Sequence, residues 1–172
     1  NGGSLTMANA STINGTLAVS GATVNANGAL GVTTLDLSNF GQLSGSGTTT
    51  ATTFNWTSGQ VGPGGTLVTN GTSTLSGPGQ KNVGRSWTNN GTVDWTGGDI
   101  AAMISGVILN ASGATFNAKV AKNLNNFGGT FTFPNLDAFI SGVADTYRVA
   151  RGNPSQVTTQ LEMSGFIQND IA

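Results

Sequence analysis

Hydrophobic residues recur along the first fifty residues at regular steps, each within a short segment between polar turns. Leu5, Leu17, Leu30 and Leu43 lie at nearly the same position after Asn-Gly or Phe-Gly pairs that are thirteen residues apart. Within these segments apolar and polar residues alternate, as in residues 17–19, which is the period of a strand with one buried face. The pattern predicts a repeating unit of turn, strand, turn and strand.

A thirteen-residue unit is too short to bury a core alone, so the units are expected to stack. Parallel stacking at about 4.8 Å per coil gives a β-solenoid, in which each coil pairs with the next. Asn and Gly suit the corners because both tolerate positive φ. From about residue 54 the units lengthen, which predicts wider coils with longer corners. The predicted interior residues are Leu5, Leu17, Val19, Leu30, Leu35 and Leu37.

The last forty residues follow a different pattern. Asn135 is a suitable N-cap and Gly152 a suitable stop for a helix of about 14 residues, and the stretch 157–171 could form one more strand pair. We therefore predict a β-solenoid over residues 1–133 and a C-terminal cap or docking element over residues 134–172. The helix is indicated by apolar residues at i, i+3, i+4, i+7 and i+11, which are Leu136, Phe139, Ile140, Val143 and Tyr147.

Composition narrows the classes of function. Charged residues make up 8% of the chain and the net charge is −1, so there is no electrostatic footprint for nucleic acid or an acidic membrane. The 37% of hydrophobic residues, regularly spaced, favours a folded chain over a disordered one. No apolar run approaches the roughly 18 residues of a membrane span. The sequence begins without a signal peptide, so we expect a mature product or an excised fragment.

The chain contains neither cysteine nor histidine. This removes disulfides, thiolate metal sites and the commonest general base and transition-metal ligand. We expect no catalytic residues, no metal and no cofactor, and therefore no enzyme. A charge-poor, cysteine-free chain rich in Thr, Asn and Gly is typical of secreted bacterial surface proteins, so we expect an extracellular location at the cell surface.

Residues 53–100 resemble a repeat of very large secreted surface proteins of environmental bacteria, and residues 1–52 resemble the repeats of autotransporter passengers and filamentous haemagglutinin-like adhesins. The resemblance implies an all-β parallel β-solenoid, most often used as a stalk. The residues that match are Trp56, Thr57, Gly59, Lys81, Arg85, Asn90, Gly91, Thr92, Val93, Trp95, Thr96, Gly97 and Gly98.

Two acidic residues are candidates for a metal or catalytic site. Asp94 and Asp99 flank a Trp-Thr-Gly-Gly turn, and a carboxylate pair can bind Ca²⁺ or act as acid and base on a polysaccharide. Such sites need several carboxylates on one face, whereas the chain holds 7 acidic residues in all, widely scattered. Turn formation therefore explains the two residues better.

The aromatic and basic residues of the wider coils also have two interpretations. The three tryptophans, Trp56, Trp87 and Trp95, are either sugar-stacking platforms or core residues, and we favour the core. Lys81 and Arg85 could bind an anionic partner, but a basic pair in a loop is more often solvated.

A threonine run and a set of sequons remain. Residues 48–53 resemble the threonine arrays of ice-binding solenoids, which need threonine at one position on many successive coils; the neighbouring coils are mixed at the thirteen-residue spacing, so we do not predict an ice-binding face. Glycosylation would require a source that glycosylates Asn-x-Ser/Thr. The sequons are at Asn9, Asn14, Asn55, Asn70, Asn90 and Asn110.

Three function classes follow: a structural fibre or stalk subunit, an adhesin or glycan-binding module of a larger surface protein, and a polysaccharide-active enzyme. The residue inventory argues against the third. We expect a fibre subunit whose partner is a second copy, head to tail, or the flanking repeats of a longer chain, with glycans as a further possible partner. The assembly contacts are expected to include Met163, Phe166 and Ile167 of the apolar tail.

Overall fold

The computed structural model describes residues 2–132 of the chain. Their regular structure consists of β-strands alone, stacked as successive coils of a parallel β-solenoid, so the predicted fold class is confirmed. A seven-stranded sheet receives one strand from each coil, which gives seven coils. The predicted helix and strand-like tail of residues 134–172 lie outside the described residues.

The first three coils have two strands each, a short one and a long one. Buried and less buried residues alternate within each half of β4 and β6, and the alternation shifts by one residue in the middle, so that Leu30 and Val32 and then Leu35 and Leu37 are buried. The strands are β1 (Ser4–Met7) and β2 (Ser11–Ser20), β3 (Thr23–Ala26) and β4 (Leu30–Ser38), and β5 (Gln42–Ser44) and β6 (Thr48–Trp56).

The next three coils have three strands each, and the seventh coil is described through its first two. These strands are β7 (Gly59–Val61), β8 (Thr66–Thr69) and β9 (Thr72–Leu75); β10 (Lys81–Val83), β11 (Ser86–Asn89) and β12 (Thr92–Trp95); β13 (Ile100–Ala102), β14 (Val107–Asn110) and β15 (Thr115–Ala118); and β16 (Leu124–Asn126) and β17 (Thr130–Thr132).

The long strands are followed by pairs of short strands after β6. The first half of β6 pairs with β8 and its second half pairs with β9. From there the second sheet has two arms, β8-β11-β14-β17 and β9-β12-β15, while the seven-stranded first sheet continues unchanged. The predicted lengthening after about residue 54 is present in two coils, with 22 residues between Gly59 and Lys81 and 24 between Ile100 and Leu124.

The coil length differs from the thirteen-residue period. Ser4 pairs with Thr23 and Thr23 with Gln42, so each early coil has 19 residues, and later coils reach 24 residues between Ile100 and Leu124. The prediction of thirteen-residue coils up to residue 53 is therefore wrong. Asn-Gly pairs do not mark equivalent corners: residues 14–15 form an irregularity inside β2, where the register with β4 shifts.

Inward-facing residues stack in columns along the axis. Val19, Leu30, Leu35 and Leu37 are buried, as predicted. Leu17 is partly buried, and Leu5 is 51% exposed, which corrects its predicted interior burial. Leu5 does face inward, because it pairs in register with buried Val24, but no described coil lies on its other side.

Aromatic side chains fill the interior from β6 onward. The ring centroids of Phe54 and Trp56, in the third coil, lie 5.3 Å apart, and Trp87, in the fifth coil, contacts both in edge-on geometry. All three rings are fully buried, as is Trp95, which packs edge-on against Phe116. The prediction that the tryptophans belong to the core is confirmed.

Close stacking of coils leads to a first prediction. A Cβ added to Gly91 would overlap the backbone carbonyl oxygen of Gly71 in the coil below, so Gly91→Ala forces two coils apart. We expect a loss of about 1–3 kcal/mol in the free energy of unfolding. Urea unfolding followed by tryptophan fluorescence measures it.

Gly3→Ala is the matched control, because an added Cβ at Gly3 meets nothing within 4 Å. Its unfolding free energy should stay within about 0.5 kcal/mol of the unaltered chain. Equal effects of the two substitutions would contradict steric stacking as the cause.

Candidate functional site

Three polar side chains are buried at the three corners of the fifth coil. Corner 1 lies between β10 and β11, corner 2 between β11 and β12, and corner 3 between β12 and β13. Lys81, Arg85 and Asn89 follow one another at steps of four residues and are each buried. Each side chain serves a different corner, so the fifth coil connects its neighbours at all three.

Lys81 occupies corner 3 from the inside. Its Nζ donates hydrogen bonds to the carbonyl oxygens of Gly79 at 2.9 Å, Gly97 at 2.8 Å and Thr57 at 3.4 Å. These carbonyls belong to corner 3 of three consecutive coils. Burial lowers the pKa of Lys81 to about 8, and the negative charge of Asp99 opposes that shift. The ammonium therefore joins three coils through backbone dipoles.

Arg85 performs the same task at corner 1. Its Nε donates to the carbonyl oxygen of Gly62 at 2.7 Å, and one terminal nitrogen donates to those of Leu43 and Gly45 at 3.1 and 3.3 Å. These acceptors lie one and two coils below. Burial lowers the pKa of Arg85 to about 10. The planar fork of guanidinium suits this site, because it directs several donors at fixed angles.

Asn89 links the fifth coil to both neighbours at corner 2. Its amide nitrogen donates to Oδ1 of Asn110 at 2.6 Å in the coil above, and its Oδ1 accepts the hydroxyl of Thr69 at 3.4 Å in the coil below. The Thr69 hydroxyl in turn accepts the indole N–H of Trp87 at 3.1 Å. The same Asn89 amide bonds the backbone of Gly91, so the ladder also fixes the turn.

Sequence reasoning placed Lys81 and Arg85 in solvent, and this was wrong. Their charge suggested a surface, but the glycines around them leave inward-pointing carbonyls that need donors. The available signal was the four-residue spacing of Lys81, Arg85 and Asn89 across short strands and turns. That spacing becomes meaningful when the coil length is known.

The two acidic residues do not form a joint site. Asp94 lies on the outer face, where its carboxylate forms an ion pair with Lys119 at 2.7 Å and accepts the amide of Asn117 at 2.9 Å. Hydrogen bonds from Lys119 and then Asn117 lower the pKa of Asp94. The Asp99 carboxylate instead accepts the backbone N–H of Asn123 at 3.1 Å. Each has its own structural contacts, in agreement with the turn interpretation.

Threonines form ranks on the outer face of the second sheet. Thr16, Thr34 and Thr53 pair in register, as do Thr72, Thr92 and Thr115 higher in the stack. The expectation of mixed neighbours was therefore wrong for Thr53, because it assumed thirteen-residue coils. The adjacent outer rank is mixed: it contains Ala18, Asp36, Asn55, Thr74, Asp94 and Asn117.

The sequons differ in access. Asn110 is fully buried and cannot accept a glycan in the folded chain, whereas Asn55 is half-buried and bonded to Asp36. The other four sequons, Asn9, Asn14, Asn70 and Asn90, are exposed.

Residues 2–132 contain no group of three or more acidic, histidine or cysteine side chains close enough together to hold a metal ion. No helix in this part of the chain has the length and hydrophobicity needed to cross a membrane.

Neither a protein family, nor a curated protein, nor a solved structure matches this chain. The described residues form a seven-coil parallel β-solenoid with polar side chains buried at its corners.

The buried lysine predicts how stability depends on pH. Between pH about 8 and its ordinary value of 10.5, folded Lys81 has lost its proton while unfolded Lys81 keeps it. The unfolded state then binds more protons, so the free energy of unfolding rises with pH across this window and is lowest below it. Urea unfolding over this range measures the slope.

Lys81→Met should remove this part of the slope, whereas Lys119→Met, which removes an exposed amine, should retain it. A slope that is the same in the unaltered chain and in Lys81→Met would show that the ammonium is equally stable in both states.

Replacing Arg85 by lysine tests the geometry of its hydrogen bonds while the positive charge is kept. Arg85→Lys keeps the positive charge but cannot reach the carbonyls of Gly62, Leu43 and Gly45 together. We expect a loss of about 2–4 kcal/mol in unfolding free energy. The exposed Lys122→Arg should change it by about 0.5 kcal/mol or less, and a similarly small effect of Arg85→Lys would refute the fork as the stabilising contact.

Proposed function

We propose that the chain is a structural module of an extracellular fibre or stalk, extended by stacking one β-solenoid end on another. The observation that supports this most is that inward-facing apolar side chains of the first described coil are partly exposed to water. The sequence composition, poor in charge and free of cysteine, supports the extracellular setting.

The first coil presents apolar side chains on the axis. Leu5 is exposed, and Met7, Ile13 and Leu17 are partly buried against the core. One coil further on, the inward-facing Val24, Ala26, Val32 and Leu35 are all buried. The difference is that no described coil lies below the first one. A further coil at this end would remove the apolar surface of these side chains from water, which is favourable.

Backbone pairing gives the contact a direction. Among the described strands, β1 pairs with β3 and β2 pairs with β4, each on one side. The free edge of each strand can accept a parallel strand, and an added coil provides two at once. A contact between unlike ends propagates along an axis unless it closes into a ring. Such stacking therefore produces a linear assembly.

The occupant that we propose is a second copy of the chain; flanking repeats of a longer chain would use the same surface. The predicted contacts Met163, Phe166 and Ile167 lie outside the described residues and stay a prediction. The contacts at the corners of the fifth coil favour a structural role for the chain, since the hydrogen bonds of Lys81 and of Arg85 each join three coils.

The assembly is tested with Leu5→Lys in the full chain. A lysine in place of the exposed Leu5 places a charge on the coil end without disturbing a buried side chain. We expect the unaltered chain to form filaments in negative-stain electron microscopy and to sediment with a concentration-dependent mass, and Leu5→Lys to stay monomeric.

Ile104→Lys is the matched control, because Ile104 is also exposed, at 78%, but lies in the corner between β13 and β14, with described coils on both sides. It should still form filaments. A monomeric unaltered chain at high concentration would refute self-assembly, and filaments of unchanged length in Leu5→Lys would refute this end as the contact.

A further inference from the structure

Phe40 is the most exposed large hydrophobic residue of residues 2–132. It lies in the corner between β4 and β5, and its side chain is 88% exposed. The ring therefore contributes almost nothing to the core. It does not lie on the first coil, since described coils stack on both sides of this corner.

The backbone at this corner is strained at the residue that carries the ring. Phe40 has φ of 60° and the preceding Asn39 has φ of 47°, in the left-handed region that bulky side chains avoid. Gly21 and Phe40 precede the paired residues Thr23 and Gln42 by two, so they occupy the same corner position in successive coils. Gly21 has nearly the same φ, 59°. Glycine meets the needs of the fold here, so the fold does not explain phenylalanine.

The polar groups that bond at this corner are uncharged. The side-chain amide of Asn39 donates to the Ser20 hydroxyl at 2.9 Å, and the backbone N–H of Phe40 donates to the Ser58 hydroxyl at 3.3 Å. Thr57, next to Ser58, is also exposed. An exposed aromatic ring with hydroxyl and amide groups at the same corner is suited to a pyranose ring, whose C–H face packs on the aromatic and whose hydroxyls bond the polar groups.

A protein partner fits this surface less well. One aromatic side chain buries at most about 250 Å², whereas a stable protein interface buries roughly 800 Å² on each partner. The outer side chains around Phe40 are short and polar, so they add little apolar area.

From these observations we propose that the corner formed by Ser20, Asn39, Phe40 and Ser58 is a binding site for a neutral polysaccharide. Phe40 provides the stacking surface, and the hydroxyl and amide groups orient the sugar. This function is independent of end-to-end assembly, because it uses the side of the solenoid and not its end.

The test is native affinity electrophoresis of the full chain in gels containing hydroxyethyl cellulose, laminarin or galactomannan. At least one of these neutral polysaccharides should retard the unaltered chain. Phe40→Gly should bind roughly tenfold or more weakly, because the stacking face is lost. It should also unfold at an equal or higher temperature, because glycine adopts the left-handed conformation without strain. Phe40→Trp should restore retardation.

Phe127→Gly is the control, since it removes the other exposed aromatic ring of the described residues, and it should leave retardation unchanged. Absence of retardation in all three polysaccharides, or equal retardation of Phe40→Gly, would overturn the proposal. A change in sedimentation of Phe40→Gly without polysaccharide would overturn it in favour of a protein contact.

Discussion

Backbone pairing between successive coils is the constraint on which the structure depends. Each strand must find its partners at the same position in the next coil, so the outline of one coil largely determines the outline of the next. The exception is β6, whose two halves pair with separate strands, β8 and β9. From β6 onward two short strands take the place of one long strand, and the aromatic rings of Phe54, Trp56 and Trp87 pack together in the interior at that point.

The short strands of the later coils are separated by corners, and corners turn backbone carbonyls away from the pairing direction. Such groups are costly when buried without a donor. Lys81 and Arg85 supply donors at two corners and Asn89 at the third, which explains why two cations are buried in an otherwise charge-poor chain. Their desolvation is partly offset by several carbonyl dipoles acting together, from three coils at Lys81 and from two coils at Arg85. The same side chains that satisfy the corners also hold the coils in register.

Local alternation was enough to predict the fold class and most interior residues, because a strand with one buried face has a period of two. Coil length could not be predicted from it. The Asn14-Gly15 pair proved to be an irregularity within β2, and equivalent positions such as Gly21 and Phe40 become visible when pairing is known. The buried positions of Lys81 and Arg85 depend on carbonyls up to 42 residues away, and no local pattern reports such contacts. The exposed Phe40 was missed because it repeats the spacing of the Asn-Gly pairs.

The buried corner contacts have a mechanical consequence. Lys81 and Arg85 each bond carbonyl oxygens of more than one coil. A pull along the axis must therefore break these bonds together with the backbone pairing of the same coils, so the corners add resistance to the separation of the third, fourth and fifth coils.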